Sequence, residues 1–213
     1  MSNSVDEERF YSEVKIKICP QCGAPAKSGS RKCEYCGAEF LVSSLAYLDK
    51  FDKSGISKYV NHYKELLKVN SENGKVLFAL GICYLNLRLY DMATTYLAKS
   101  IEQLPDFSES YYYYALSLFK HRKPKVLTLT EIKKIEDYIN AAIQIDCTKS
   151  KYYYLLALVK HDFYLKNGLK INPPTFEELI DLAESCSYER EEIEDILQHV
   201  PITDQELIRC ITK

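Results

Sequence analysis

Glycine and proline are scarce in this chain, seven of each in 213 residues, too few for a collagen-like or low-complexity polypeptide. Long hydrophobic runs are missing as well. The longest, Val76–Leu85, covers ten residues, where a bilayer span needs roughly 18 to 20. Met1–Phe10 is acidic and holds no apolar signal core, so the expectation is a soluble, cytoplasmic chain with no membrane partner. Neither sign of charge dominates. The 28 basic and 30 acidic residues leave a net charge of −2, which excludes a strongly basic nucleic-acid coat.

Catalytic groupings are absent too. His62, His121, His161 and His199 are scattered, with no Glu-x-x-His or His-Glu-x-x-His pattern, and no glycine-rich phosphate loop follows a predicted strand. Cys83, Cys147, Cys186 and Cys210 stand singly in or beside helical apolar positions, as small core residues do. The expectation is a protein that is not an enzyme.

What is there is globular: 46% of residues are hydrophobic and 27% charged, and the length suits one large domain with a small appendage, without disulfide staples. The charge is distributed unevenly. Residues 1–42 balance, residues 43–174 carry a surplus of +6, and residues 175–213 a deficit of −8. Solvated helix faces account for such a gradient; the sharper reading is that the acidic end docks on, or competes for, the basic middle.

Four of the eight cysteines fall within eighteen residues: Cys19, Cys22, Cys33 and Cys36. Each Cys-x-x-Cys pair is followed by glycine (Gly23, Gly37), which supplies the positive φ that closes a knuckle whose backbone amides face the sulfurs. Two knuckles make a tetrahedral four-thiolate site, and four thiolates leave no open position for substrate or water. The pattern resembles the zinc ribbons beginning Cys-Pro-x-Cys-Gly, over residues 14–42. That implies one structural Zn²⁺, with a strand at Val14–Ile18 and another at Ala38–Leu41. An iron centre of rubredoxin type, a disulfide pair and a redox dithiol are the competing readings. In so small a segment metal binding is the folding energy. Lys15, Lys17, Lys27, Arg31 and Lys32 meet no acid until Glu34, so the ribbon is also a candidate nucleic-acid surface. The tetrathiolate's charge reduces that surplus to about +3, weak for a phosphate tracker.

From Ser43 onward apolar residues recur at three and four, the period of helices. Leu77-x-x-Leu80-Gly81-x-x-Tyr84, then Ala93-x-x-x-Leu97 and Pro105, resemble the tetratricopeptide repeat with its usual first Trp replaced by Leu77. Shifted by 34 residues the pattern returns as Tyr111-x-x-Tyr114-Ala115-x-x-Leu118, its second helix delayed by an insertion around His121–Thr128 and opened by a Thr128/Glu131 capping box. A third unit starts at Tyr153-x-x-Leu156-Ala157, its second helix capped by Thr175 and Glu178, and a degenerate earlier unit runs over Ser43–Asn70. Tyr111–Tyr114 sweep about 300° around a helix, which leaves Tyr113 partly wet.

The fold expected is mainly α: tetratricopeptide-like antiparallel helix-hairpin repeats, an α-solenoid, over 43–187, preceded by a small β zinc ribbon (14–42) and a disordered tail (1–13). Capping helices follow over 188–213, the last opened by Thr203 and Glu206. The resemblance implies a concave surface lined by Phe78, Ile82, Leu85, Tyr112, Leu116, Phe119, Tyr154, Leu158 and His161. Family members that clamp the acidic tails of chaperones place Lys and Asn there. These residues favour an apolar helix or extended segment of a partner protein instead. So much bare apolar surface is more than a monomer tolerates, so a partner, a second copy or the chain's own C-terminal helices should fill it. The function implied is an adaptor. The alternative is binding of single-stranded RNA or DNA by the ribbon cations together with Arg122, Lys123 and Lys125 of the inserted loop.

Overall fold

A computed structural model describes residues 16–27, 29–186, 190–202, 204 and 207–209. The expected disordered tail and the Thr203/Glu206 cap lie outside them. The chain forms two compact units, 1–104 and 105–213. Among the described residues no helix is long and apolar enough to cross a membrane.

The first unit begins with two matching knuckles. Gly23 and Gly37 take φ of 73° and 72°, and the N–H of each donates to the carbonyl of the cysteine four residues earlier, Cys19 and Cys33. Across each knuckle the cysteine N–H donates to an alanine carbonyl, Cys19 to Ala24 at 2.8 Å and Cys33 to Ala38 at 2.9 Å. Among the described residues the pairing expected of two strands is limited to two isolated antiparallel bridges, Ile18 with Pro25 and Lys32 with Glu39, and Val14 and Lys15 lie outside those residues. Tyrosine hydroxyls take up the backbone groups that a second strand would have used. The Glu39 N–H donates to Tyr47 Oη (2.7 Å) and its carbonyl accepts from Tyr59 Oη (2.9 Å). The Phe40 carbonyl accepts from Tyr63 Oη (3.1 Å), and the Val42 N–H donates to that same oxygen (3.0 Å).

Those tyrosines sit on α1 (Leu45–Leu48) and α2 (Lys53–Val69), which are N-capped by Ser44 and Asp52. Helix α3 (Gly74–Asn86) carries the long apolar run and is buried on every side from Gly74 to Leu85, as an all-round hydrophobic helix must be. It packs against α1 and α2 and forms an antiparallel hairpin with α4 (Tyr90–Gln103). The hairpin closes where Gly81 meets Leu97: a Cβ at residue 81 would stand 2.6 Å from Leu97 Cγ. The repeat pattern's small residue is thus a steric requirement.

The second unit holds two more hairpins, α5 (Ser108–Leu118) with α6 (Leu129–Ile145), and α7 (Ser150–Val159) with α8 (Phe176–Glu184). Both capping boxes form as the sequence suggests, Thr128 with Glu131 and Thr175 with Glu178. The insertion between α5 and α6 includes a 3₁₀ turn, Pro124–Val126. Helix α7 runs on into a π-helical segment, Lys160–Leu165, against which that turn packs. Helix α9 (Arg190–His199) lies on α5 and α7. Tyr113 is buried, contrary to expectation, and Tyr111 is the half-buried member of its run. The Tyr113 ring meets Tyr112 edge-on at 5.0 Å and lies 5.4 Å from the Lys151 ammonium.

Candidate functional site

The two knuckles bring Cys19, Cys22, Cys33 and Cys36 together with all four sulfurs within 4.8 Å of one another. Cys19 and Cys36 are 3.6 Å apart, as are Cys22 and Cys33, and all four are free of disulfides. A tetrahedron of sulfurs about 2.3 Å from a central ion has edges of about 3.8 Å, so the donor set fits a metal ion without rearrangement. Cys19 and Cys33 are buried beside Ala38 and Phe40, with Ile16, Ala24 and Ala26 packed around them. Cys22 and Cys36 reach the surface.

The electrostatics show why this cluster suits a cation. Burial pushes the Cys19 thiol up, against hydrogen bonds from the backbone of Cys22 and Gln21. Cys36 is pushed up to about 12 by desolvation and by the sulfurs around it. Burial also works against ionising Cys33, but backbone hydrogen bonds from Cys36 and Tyr35 and the neighbouring sulfurs bring it down to about 7. The first proton leaves readily and later ones do so against growing repulsion. A bound dication removes that repulsion, and four sulfurs around it leave no coordination position for chemistry.

Of the cations proposed for nucleic acid, Lys15 lies outside the described residues and Lys17 is exposed. Lys27 pairs with Glu34 at 3.4 Å and Lys32 with Glu39 at 3.3 Å; Arg31 is half-buried and has interactions of its own. In the inserted loop, Arg122 donates to Glu131 at 2.7 Å. With the Thr128 N–H, this holds the Glu131 carboxyl down at about 2. The Lys125 N–H donates to Asp162 Oδ2 at 3.1 Å, Asn167 Nδ2 donates to the Lys125 carbonyl at 3.3 Å, and Pro124 is buried. Lys123 is half-buried. Much of this basic charge is locally neutralised, and the loop is stitched to the π-helical segment.

The nine residues expected to line an open trough do not line one. In the first unit Phe78, Ile82 and Leu85 are fully buried, with α1 and α2 packed on their helix. In the second unit Tyr112, Leu116, Phe119, Tyr154 and Leu158 are buried too, and α9 lies on the helices that carry them. His161 is half-buried, its ring 5.2 Å from that of Phe176. The physical reason is the one that made the trough notable in sequence: ladders of aromatic and aliphatic side chains are too costly to leave in water. Here the chain supplies the cover itself.

Several groups escaped the sequence reading. Lys151 is buried, 2.8 Å from Glu109 Oε2, with its ammonium 5.1 Å from the Tyr112 ring centroid. Tyr152 Oη donates to Glu109 Oε1 at 3.0 Å, and burial raises the Tyr152 pKa well above its ordinary range. Lys160 and Tyr164 both reach Glu136, at 3.0 and 2.7 Å. A lysine directly before three tyrosines was the available signal for the first of these sites, since aromatic rings attract a cation to their faces. Cys147, read as a core residue, is exposed, and Cys186 is half-buried with its thiol 3.4 Å from the Cys147 carbonyl.

No family model matches the chain, and no curated protein matches it. Among solved structures, a chain described as "MamA MSR-1 C2" is 16% identical, with 66% of this chain and 73% of that one covered at a TM-score of 0.49. Another, "Crystal structure of MamA", is 20% identical, with 76% and 77% covered at a TM-score of 0.47. Among the described residues the helical body consists of three hairpins, the first closing with Gly81 on Leu97.

Proposed function

We propose that the chain is a cytoplasmic, non-enzymatic adaptor that takes a partner protein on the face formed by α5 and α7, the first helices of two of its tetratricopeptide-like repeats. One structural zinc held by Cys19, Cys22, Cys33 and Cys36 fixes its N-terminal unit. The observation that carries this reading is that α9, an amphipathic helix, already lies across α5 and α7, so the face has the shape and polarity to accept a helix. For the metal, the support is the four-sulfur geometry and the softness of thiolates, which favours zinc.

The adaptor reading is tested by affinity capture from native extract with two full-length baits, the native chain and one carrying Ile193→Asp and Ile196→Asp. Mass spectrometry should find a stoichiometric protein whose recovery differs between them; identical recoveries, or none, would contradict the reading. Elemental analysis of the purified chain should give one zinc per molecule, and iron in its place would overturn the metal assignment.

A further inference from the structure

We propose that Cys147 and Cys186 are a redox pair whose disulfide closes the mouth of the α7–α8 hairpin. Their juxtaposition comes from the topology. An antiparallel hairpin sets the start of its first helix beside the end of its second, and these cysteines stand just outside those two points: Cys147 precedes Ser150, the first residue of α7, by three positions, and Cys186 follows Glu184, the last of α8, by two. Both are free of disulfides, Cys147 exposed and Cys186 half-buried. The Cys186 thiol lies 3.4 Å from the Cys147 carbonyl oxygen. A cysteine's sulfur stands roughly 3 to 5 Å from its own carbonyl oxygen in any staggered rotamer, so the two thiols are within one side-chain rotation of each other.

The backbone on both sides is held for that meeting. Tyr153 Oη donates to the Cys147 carbonyl at 3.1 Å, and Asp146 Oδ1 accepts from the Thr148 N–H at 2.9 Å and from its hydroxyl at 2.6 Å. At the end of α8 the Cys186 N–H donates to the Ala183 carbonyl at 3.1 Å, and the Cys186 thiol also reaches the Leu182 carbonyl at 3.2 Å. The two thiols have different parts. Cys147 is open to a dissolved reagent, whereas burial, with the charges of Cys147 and Asp146, pushes the Cys186 thiol up and keeps it protonated. The reagent is a small-molecule disulfide. The Cys147 thiolate attacks one of its sulfurs and expels the other as a thiolate, which leaves a mixed disulfide on Cys147; the Cys186 sulfur then attacks the Cys147 sulfur and expels the second small thiol. The protons given up by the two cysteines end on the two thiols released, and the two electrons lost by the protein pair are those gained by the reagent. Cys83 is fully buried and takes no part. A bond at the surface is readily reduced again, so the pair acts as a reversible clamp. It links residues 39 apart in sequence, a loop long enough for its closure to restrain opening of the hairpin.

The full-length chain, purified with zinc, is treated with oxidised glutathione, its remaining thiols are blocked with iodoacetamide, and intact mass and cross-linked peptides are read by mass spectrometry. The native chain should lose two hydrogens, keep no glutathione and yield a single cross-link, Cys147 to Cys186. Cys186→Ser should instead retain one glutathione on Cys147, and Cys147→Ser should react at least about ten-fold more slowly than the native chain. Excess reduced glutathione should restore the starting mass. In the oxidised chain the amides of α7 and α8 should exchange at least about ten-fold more slowly than in the reduced chain, while those of α3 and α4 keep their rates. A cross-link to Cys210 or to the four-cysteine cluster, glutathione retained on Cys147 of the native chain, or no reaction at either thiol overturns the pair. Unchanged exchange in α7 and α8 overturns the clamp, and a bond that reduced glutathione leaves intact overturns its reversibility.

Discussion

The two units meet the same difficulty, an inner helix too apolar to face water, with covers of different kinds. In the first, α3 is covered by α1 and α2, and those helices are tied to the four-cysteine segment through the hydroxyls of Tyr47, Tyr59 and Tyr63. Gln21 of the first knuckle adds a 2.8 Å hydrogen bond to the Gly55 carbonyl. In the second, the cover is α9, which lays Ile193, Ile196 and Val200 against α5 and α7. Buried directional bonds tie the first lid to the four-cysteine segment. A short helix packed through an aliphatic stripe makes one that depends on that stripe.

The largest expected effect breaks the first cover. Cys33→Ser should abolish metal retention, and with it folding energy on the order of 10 kcal/mol. Hydrogen exchange should then show residues 16–42 unprotected and the amides of α1 and α2 strongly accelerated; unchanged rates in α2 would mean that the tyrosine bonds transmit nothing. Next comes the ion pair inside the second unit, whose side chains are 4% and 16% exposed. Lys151→Met leaves Glu109 buried without its cation and should cost about 3 to 5 kcal/mol in thermal or urea unfolding. Adding Glu109→Met should recover much of that, because removing both charges also removes their desolvation cost.

Tyr63→Phe should cost about 1 to 3 kcal/mol, since the Phe40 carbonyl and the Val42 N–H lose their shared partner; a loss below about 0.5 kcal/mol would place the anchorage elsewhere. The smallest effect concerns the loop before α6. Glu131 has its pKa lowered to about 2, below the ordinary carboxylate value of about 4.3. Its contribution is therefore complete above about pH 4.5 and is lost as pH falls through about 2. The side chain is 38% exposed, so Glu131→Gln should cost at most about 1 kcal/mol at neutral pH, and the difference between variant and native chain should vanish toward pH 2.

Features set by neighbours in sequence were legible in it. Cysteine spacing with a following glycine specifies a knuckle, Thr-x-x-Glu specifies a cap, and a glycine within an apolar helical run marks a close crossing, here Gly81 on Leu97. What escaped depends on partners far along the chain. The segment around Phe40 alternates like a strand, but its hydrogen-bonding groups go to hydroxyls about twenty residues on. Phe78, Tyr112 and Tyr154 occupy groove positions in the repeat register; whether such positions stay open is decided by what else the chain lays over them. The pairing of Lys151 with Glu109 spans 42 residues, beyond the reach of local spacing.

The most direct test of two different covers is amide hydrogen exchange of the native chain with and without a zinc chelator, set beside the Ile193→Asp/Ile196→Asp chain. The account predicts that chelation releases α1 and α2, and that the double substitution accelerates α5 and α7 at least ten-fold while the α1 and α2 amides keep their native rates. Protection of α5 and α7 that does not change when α9 loses its aliphatic stripe would contradict it.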